Sequence, residues 1–147
     1  VYRLNVQQYC CGGLNFGYYY DASPIIAYDG AAPPSYTMET FTSSTVPGCR
    51  APHLWLADGR SLYDAMGPDF ALLRFDTSVE AGPLVDAAAA VGLPLRVLDV
   101  ETSDPLASAY TTALTLVRPD QHVAWRGDHL PADPKALVDR VRGAANV

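Results

Sequence analysis

The chain predicts an α/β fold built on one sheet that mixes parallel and antiparallel strands, and three observations carry that expectation. An apolar run at 70–75 is followed by Leu84, Val85, Ala88 and Val91 at helical spacing, and then by a second apolar run at 95–100. Two further short runs, 112–117 and 122–126, flank the tight turn Arg118-Pro119-Asp120-Gln121. Asp133-Pro134 then opens a closing amphipathic stretch.

Taken in order from residue 51, residues 53–56 read as a strand leading to an Asp58-Gly59 turn, and a short helical turn opens at Ser61. The strand at 70–75 is buried. Pro83 suits a first helical turn, where its missing N–H costs nothing, and Gly92 stands where a left-handed cap belongs. The second strand, 95–100, alternates its apolar residues with Arg96 and Asp99. Residues 104–110 read as a short helix or irregular crossover. The two last strands form a hairpin. Asp133 caps a final helix with Pro134 in its first position, and Leu137, Val138 and Val141 make the stripe that faces the sheet. Strand–helix–strand, crossover, hairpin, helix, with helices on both faces, is the thioredoxin-like arrangement.

Residues 1–50 differ in composition, being rich in Tyr, Gly, Ser, Thr and Pro. Residues 14–20 and 24–28 are expected as two short strands split by Asp21-Ala22-Ser23. The run from Asp29 to Gly48 reads as an extended connector that needs a surface to lie on. The expected division is therefore a segment and connector at 1–50 and a thioredoxin-like domain at 51–147. Tyr18-Tyr19-Tyr20, with Tyr2, Tyr9 and Tyr28, read equally as a covered sheet or as a docking surface, and the coreless connector favours docking.

Bulk properties exclude several functions. A chain of 147 residues is one domain by size, and 49% hydrophobic with 18% charged residues is ordinary for a globular protein. A net charge of −6 without a basic run argues against nucleic acid and anionic membrane surfaces. No apolar stretch approaches the roughly 20 residues of a membrane span. Three cysteines, Cys10 and Cys11 adjacent and Cys49 distant, have no metal-like spacing and point to a reducing cytoplasm. The chain opens VYRLNVQQY, without initiator Met or signal pattern, and reads as a piece that begins inside something longer.

Thiol redox chemistry needs a thiolate at a helix N-terminus, where the dipole lowers its pKa. After the first buried strand the chain instead runs Asp76-Thr77-Ser78, and the segment before the third strand, Ser108 to Thr112, lacks the proline that thioredoxin-like oxidoreductases place there in cis. His53 and His122 alternate with large apolar residues and His129 lies in a loop, so metal binding is not expected. There is no Gly-x-Ser-x-Gly and no Gly-x-Gly-x-x-Gly. Arg126-Gly127-Asp128 spells an adhesion tripeptide, and Gly127-Asp128 a flavin-contacting dipeptide, in a turn context that gives neither meaning.

Three stretches, 14–26 (LNFGYYYDASPII), 47–64 (PGCRAPHLWLADGRSLYD) and 116–127 (LVRPDQHVAWRG), together resemble the C-terminal part of FAD-dependent aromatic-ring hydroxylases, the phenol hydroxylase-like flavoprotein monooxygenases. Pro47-Gly48-Cys49-Arg50-Ala51-Pro52-His53, a strand, Asp58-Gly59 and Leu62-Tyr63-Asp64 match the pattern that introduces that family's appended thioredoxin-like domain, which lacks the thioredoxin cysteines. The resemblance implies a non-catalytic, structural domain of an aromatic monooxygenase. FAD and NAD(P)H belong to the parent enzyme and not to this piece. The implied partners are upstream FAD- and substrate-binding domains of the same chain, with a homodimer as the form of subunit association. No catalytic, cofactor-binding or metal residue is carried over. Arg50, His53, Trp55, Arg118, Asp120, His122 and Trp125 are expected to form a polar-aromatic cluster that stabilises the domain. The competing expectation is a free-standing thioredoxin-like binding module whose Tyr-rich segment docks a partner protein. A thiol peroxidase using Cys49 or the Cys10-Cys11 pair is disfavoured.

Overall fold

A computed structural model of the chain describes Tyr9 and residues 11–144; Tyr2 and Cys10 lie outside the described residues. The elements are α1 (Gly12–Phe16), α2 (Leu62–Met66), β1 (Phe70–Arg74), α3 (Gly82–Ala90), β2 (Leu95–Asp99), a 3-10 turn (Pro105–Ala109), β3 (Leu114–Val117), β4 (Val123–Gly127) and α4 (Pro134–Val141). The sheet order is β2-β1-β3-β4. β1 pairs parallel to β2 and antiparallel to β3, and β3 pairs antiparallel to β4. This is the thioredoxin-like topology that the order of elements predicts.

Strand alternation divides the core. Ala71 and Leu73 of β1 turn to one face with Leu62, Ala65 and Met66 of α2, together with Ala51, Leu54, Val117 and Val123. Leu72 turns to the other, where Leu84 and Ala88 of α3 meet Leu137, Val138 and Val141 of α4. Both helix ends follow from local chemistry. Gly92, at φ +69°, lets its own N–H reach the Ala89 carbonyl (3.1 Å) and the Leu93 N–H reach Ala88 (2.9 Å), a Schellman closure. Asp133 caps α4 by accepting the Ala136 N–H at 3.0 Å, with Pro134 in the first turn.

Several expectations are corrected. Residues 14–20 are not a strand: Gly12–Phe16 is a helix, and residues 17–20 carry no regular structure. Residues 24–28 form a turn rather than a strand, closed by the Tyr28 hydroxyl, which donates to the Tyr20 carbonyl and accepts the Ser23 N–H, both at 2.9 Å. Residues 53–56 join the sheet nowhere; they fold back on themselves through a bridge between Trp55 and Ser61 around the Asp58-Gly59 turn. The helix after β1 begins at Gly82 with Ala81 as its cap, so Thr77 and Ser78 lie in the preceding turn and not at the helix start. There is no cis peptide bond among the described residues.

Candidate functional site

The outer edge of β4 is where the N-terminal half meets the sheet. The Gly48 N–H donates to the Val123 carbonyl (2.8 Å), Val123 donates to Cys49 (2.9 Å), and Ala27 donates to Ala124 (2.8 Å). These bonds cover an edge that would otherwise expose unpaired backbone. The approach is close: a Cβ on Gly48 would stand 2.1 Å from the Tyr20 carbonyl oxygen, and the residue holds φ +98°. Only glycine fits there. Ile26 is carried into the helical core and is 1% exposed.

Along this seam the seven predicted cluster residues fall into three groups. Arg118, Asp120 and His122 gather at the β3–β4 turn. Arg118 pairs with the Asp120 carboxylate at 3.0 Å, and the Tyr20 hydroxyl donates to it at 3.3 Å. Burial by itself would raise the Asp120 carboxyl, but donors from His122 and Arg118 outweigh it and hold the group well below the usual carboxylate range. His122 is 1% exposed, with Nδ1 3.0 Å from the Asp120 carbonyl. A carbonyl only accepts, so Nδ1 is the donor in this contact and Nε2 is the other ring nitrogen. That atom has no hydrogen-bond partner among the described residues; the ring of Tyr18 is tilted against the imidazole at 5.1 Å and that of Tyr20 meets it edge-on at 4.9 Å.

Arg50, His53 and Trp55 form the second group. His53 Nε2 is 2.9 Å from the Ser61 hydroxyl, and its ring meets Trp55 and Tyr63 edge-on at 5.0 and 5.2 Å. The Arg50 guanidinium sits over Phe16 at 5.1 Å and Tyr63 at 5.5 Å, and donates to the Gln121 side-chain carbonyl. That bond, with a backbone bridge between Arg50 and His122, joins the two groups. Trp125 is apart from both, packed on the opposite face with the α3–α4 core. The expectation of one cluster therefore divides: six residues share a seam and the seventh does not.

Three participants are not among the expected cluster residues. Tyr63 donates to the Ala51 carbonyl at 2.6 Å and walls the Arg50 site. Gln121 adopts φ +67°, a conformation that ordinarily favours Gly or Asn. Arg126 pairs with Asp29 at 2.8 Å across a chain separation of 97 residues. The adhesion-like tripeptide is thereby absorbed: Arg126 holds Asp29, and Asp128 accepts the Ala113 N–H at 3.2 Å.

These groups are engaged with one another inside the fold. Cys49 is buried, and burial pushes its thiol up, away from the thiolate a peroxidase needs. Among the described residues no group of three His, Cys, Asp or Glu side chains could hold a metal, and no helix is long and apolar enough to cross a membrane.

Residues 44–145 match the family described as Aromatic-ring hydroxylase, C-terminal. The chain is 31% identical to a phenol 2-monooxygenase of Pseudomonas sp. (strain EST1001), over 97% of its own length and 26% of the relative's. It is 38% identical to a tetracenomycin B2 monooxygenase-dioxygenase of Streptomyces olivaceus, over 85% of its own length and 25% of the relative's. In a solved structure of the rebeccamycin biosynthetic enzyme RebC with reduced flavin, the matching region superposes with a TM-score of 0.80 at 38% identity, covering 94% of this chain and 25% of that one. The chain thus spans about a quarter of the length of the proteins it matches. It belongs to the C-terminal domain family of aromatic-ring hydroxylases.

Proposed function

We propose that the chain serves as the structural, non-catalytic C-terminal domain of an FAD- and NAD(P)H-dependent aromatic monooxygenase, holding the catalytic body and assisting subunit association as a homodimer in the cytoplasm. Residues 1–50 act as the segment that runs from that body, and residues 51–147 as the thioredoxin-like domain. One observation carries the reading. Among the described residues every exposed large apolar side chain except Trp55 and Leu106 precedes residue 42. Phe16, Tyr18, Tyr36, Met38 and Phe41 are among them. An apolar strip concentrated on one segment is the mark of a surface that another domain covers.

The residues present do not fit the flavin. The open hollow of about 770 Å³ beside α4 is bordered by Asp29, Asp133 and Asp139 as well as Lys135 and Arg140, and the Asp133 carboxylate already takes the Ala136 N–H of the first turn of α4. Acidic groups there oppose a pyrophosphate. No catalytic step is assigned to this chain. FAD supplies the oxygen chemistry in the parent protein, from domains outside these residues.

The test is to titrate FAD into the 147-residue chain and, in parallel, into the product of any longer reading frame that contains it, following flavin fluorescence and phenol-dependent NAD(P)H oxidation. The expected result is no quenching by the chain alone and both signals from the longer protein. Saturable micromolar FAD binding by the chain alone overturns the reading, as does a gene that encodes nothing upstream.

A further inference from the structure

The pocket around Arg50 has a chemistry of its own that the structural role does not use. Phe16, Phe41, Tyr63, the His53 ring and the Arg50 guanidinium line a cavity of about 250 Å³. That volume lies just under the roughly 300–1,000 Å³ of drug-sized sites, so a ligand would be small. The lining is aromatic with one cation. A guanidinium has five N–H donors in a planar fork, and a single acceptor, the Gln121 side-chain carbonyl, takes any of them among the described residues. Among the described residues Arg60, Arg74, Arg118, Arg126, Lys135 and Arg142 each meet a carboxylate within ion-pair distance, whereas Arg50, Arg96 and Arg140 do not. Of these three, Arg50 is the one whose guanidinium lies against aromatic rings, Phe16 and Tyr63, in a chain of net charge −6.

A second observation points the same way. Gln121 is the one non-glycine residue at positive φ among the described residues. Glycine would make this turn without strain, whereas a longer side chain in that region persists when its placement is held by other contacts. Here the side chain it supplies is the one that orients the Arg50 fork.

We propose that this pocket binds a small planar aromatic carboxylate, its ring between Phe16, Phe41 and Tyr63 and its carboxylate on the free N–H groups of Arg50. The fork geometry of guanidinium matches the two oxygens of a carboxylate. A phosphodiester or nucleotide is too large for the cavity, and one arginine is a poor match for a dianion. The ring walls select against acids that lack an aromatic group, because stacking supplies much of the contact. The site takes Gln121 from the β3–β4 turn and Phe16 and Phe41 from the N-terminal segment, so it rests on the catalytic body leaving this hollow open.

The experiment is an NMR titration of the 147-residue chain, and of the longer protein if the frame extends, with benzoate, benzyl alcohol and acetate. Benzoate is expected to saturate at about 1 mM or below, shifting the Arg50 Nε–H and the Phe16 and Phe41 ring signals. Benzyl alcohol and acetate are each expected to bind about tenfold more weakly or not at all, and Arg50→Gln to remove the preference for benzoate. Gln121→Gly relaxes the turn without threatening the fold, and is expected to weaken benzoate binding about threefold to tenfold by releasing the fork. Absence of saturation, equal binding of benzyl alcohol or acetate, or full benzoate affinity in both variants overturns the proposal. Binding by the short chain that vanishes in the longer protein also overturns it, because the pocket is then filled by protein.

Discussion

The sheet-and-helix body from residue 51 onward and the segment before it bury their side chains by different means. In the body, β1 supplies apolar residues to both faces, and α3 and α4 close one of them with stripes that repeat every three or four residues. Each element there has local sequence reasons to form. In the segment, α1 is five residues long, has no side-chain cap, and is held by contacts such as the Leu14 N–H on the Met38 carbonyl at 3.2 Å. Its attachment rests on single points: Ile26 in the core, Gly48 against Tyr20, Tyr20 on Asp120, and Asp29 on Arg126. The difference teaches that a strap without a core of its own is fixed by a few long-range contacts, each of which can be tested alone.

The largest effect should come from the body. Leu72→Ala empties the centre of β1, where Leu72 is fully buried, and should cost about 2–5 kcal/mol, read as a fall in the denaturant midpoint. Ile26→Ala tests whether the strap is part of the same cooperative unit. We expect a loss near about 2 kcal/mol in the same global transition; a separate, earlier transition confined to the N-terminal amides would break the comparison in favour of two units. Gly48→Ala forces a Cβ toward the Tyr20 carbonyl and should cost about 1–3 kcal/mol, with hydrogen exchange accelerating at the amides of Tyr20 and Ala27 before the sheet.

The Asp120 carboxylate gives a pH signature. Its folded-state pKa is depressed, so its contribution is complete above the ordinary carboxylate value of about 3.9 and drains away as acid protonates it below that. Asp29 behaves likewise: burial would raise its carboxyl, but the Ala31 N–H and Arg126 hold it low. Asp120→Asn should cost under about 1 kcal/mol at neutral pH, since the pair is partly open to solvent, and should flatten the acid limb of a stability–pH curve. An unchanged acid limb would remove Asp120 from the contacts that hold the strap. The smallest effect is expected at Trp55, 58% exposed: Trp55→Ala should stay within about 0.5 kcal/mol, unless the domain is measured together with a partner that covers it.

Elements whose signals are local were legible residue by residue. Pro83, Gly92, Asp133 and Pro134 mark the ends of α3 and α4 where the sequence expects them. The misreadings are equally specific. Leu14, Phe16, Tyr18 and Tyr20 alternate as a strand would, yet the edge their segment runs beside is taken, because residues 48–51 and Ala27 already occupy the outer side of β4. His53, Leu54, Trp55 and Leu56 have strand composition, and the Asp58-Gly59 turn folds them onto their own return at Ser61. In the cluster, Arg50, His53, Asp120 and His122 were recognisable as residue types, but Trp125 was grouped with them although the sheet carries it to the other face.

What the sequence determined by itself is the order of elements, their periodicity and caps, the absence of a helix-start thiol, and the motifs that place the chain in its family. These depend on neighbours within a few residues, where spacing and backbone preference act directly. What only the tertiary structure decided is which edge the strap covers, that Asp29 meets Arg126 and Tyr20 meets Asp120, and that the Arg50 guanidinium lies against the rings of Phe16 and Tyr63. Those pairings join residues tens of positions apart, and no periodicity along a chain encodes which distant side chains a folded sheet will bring together.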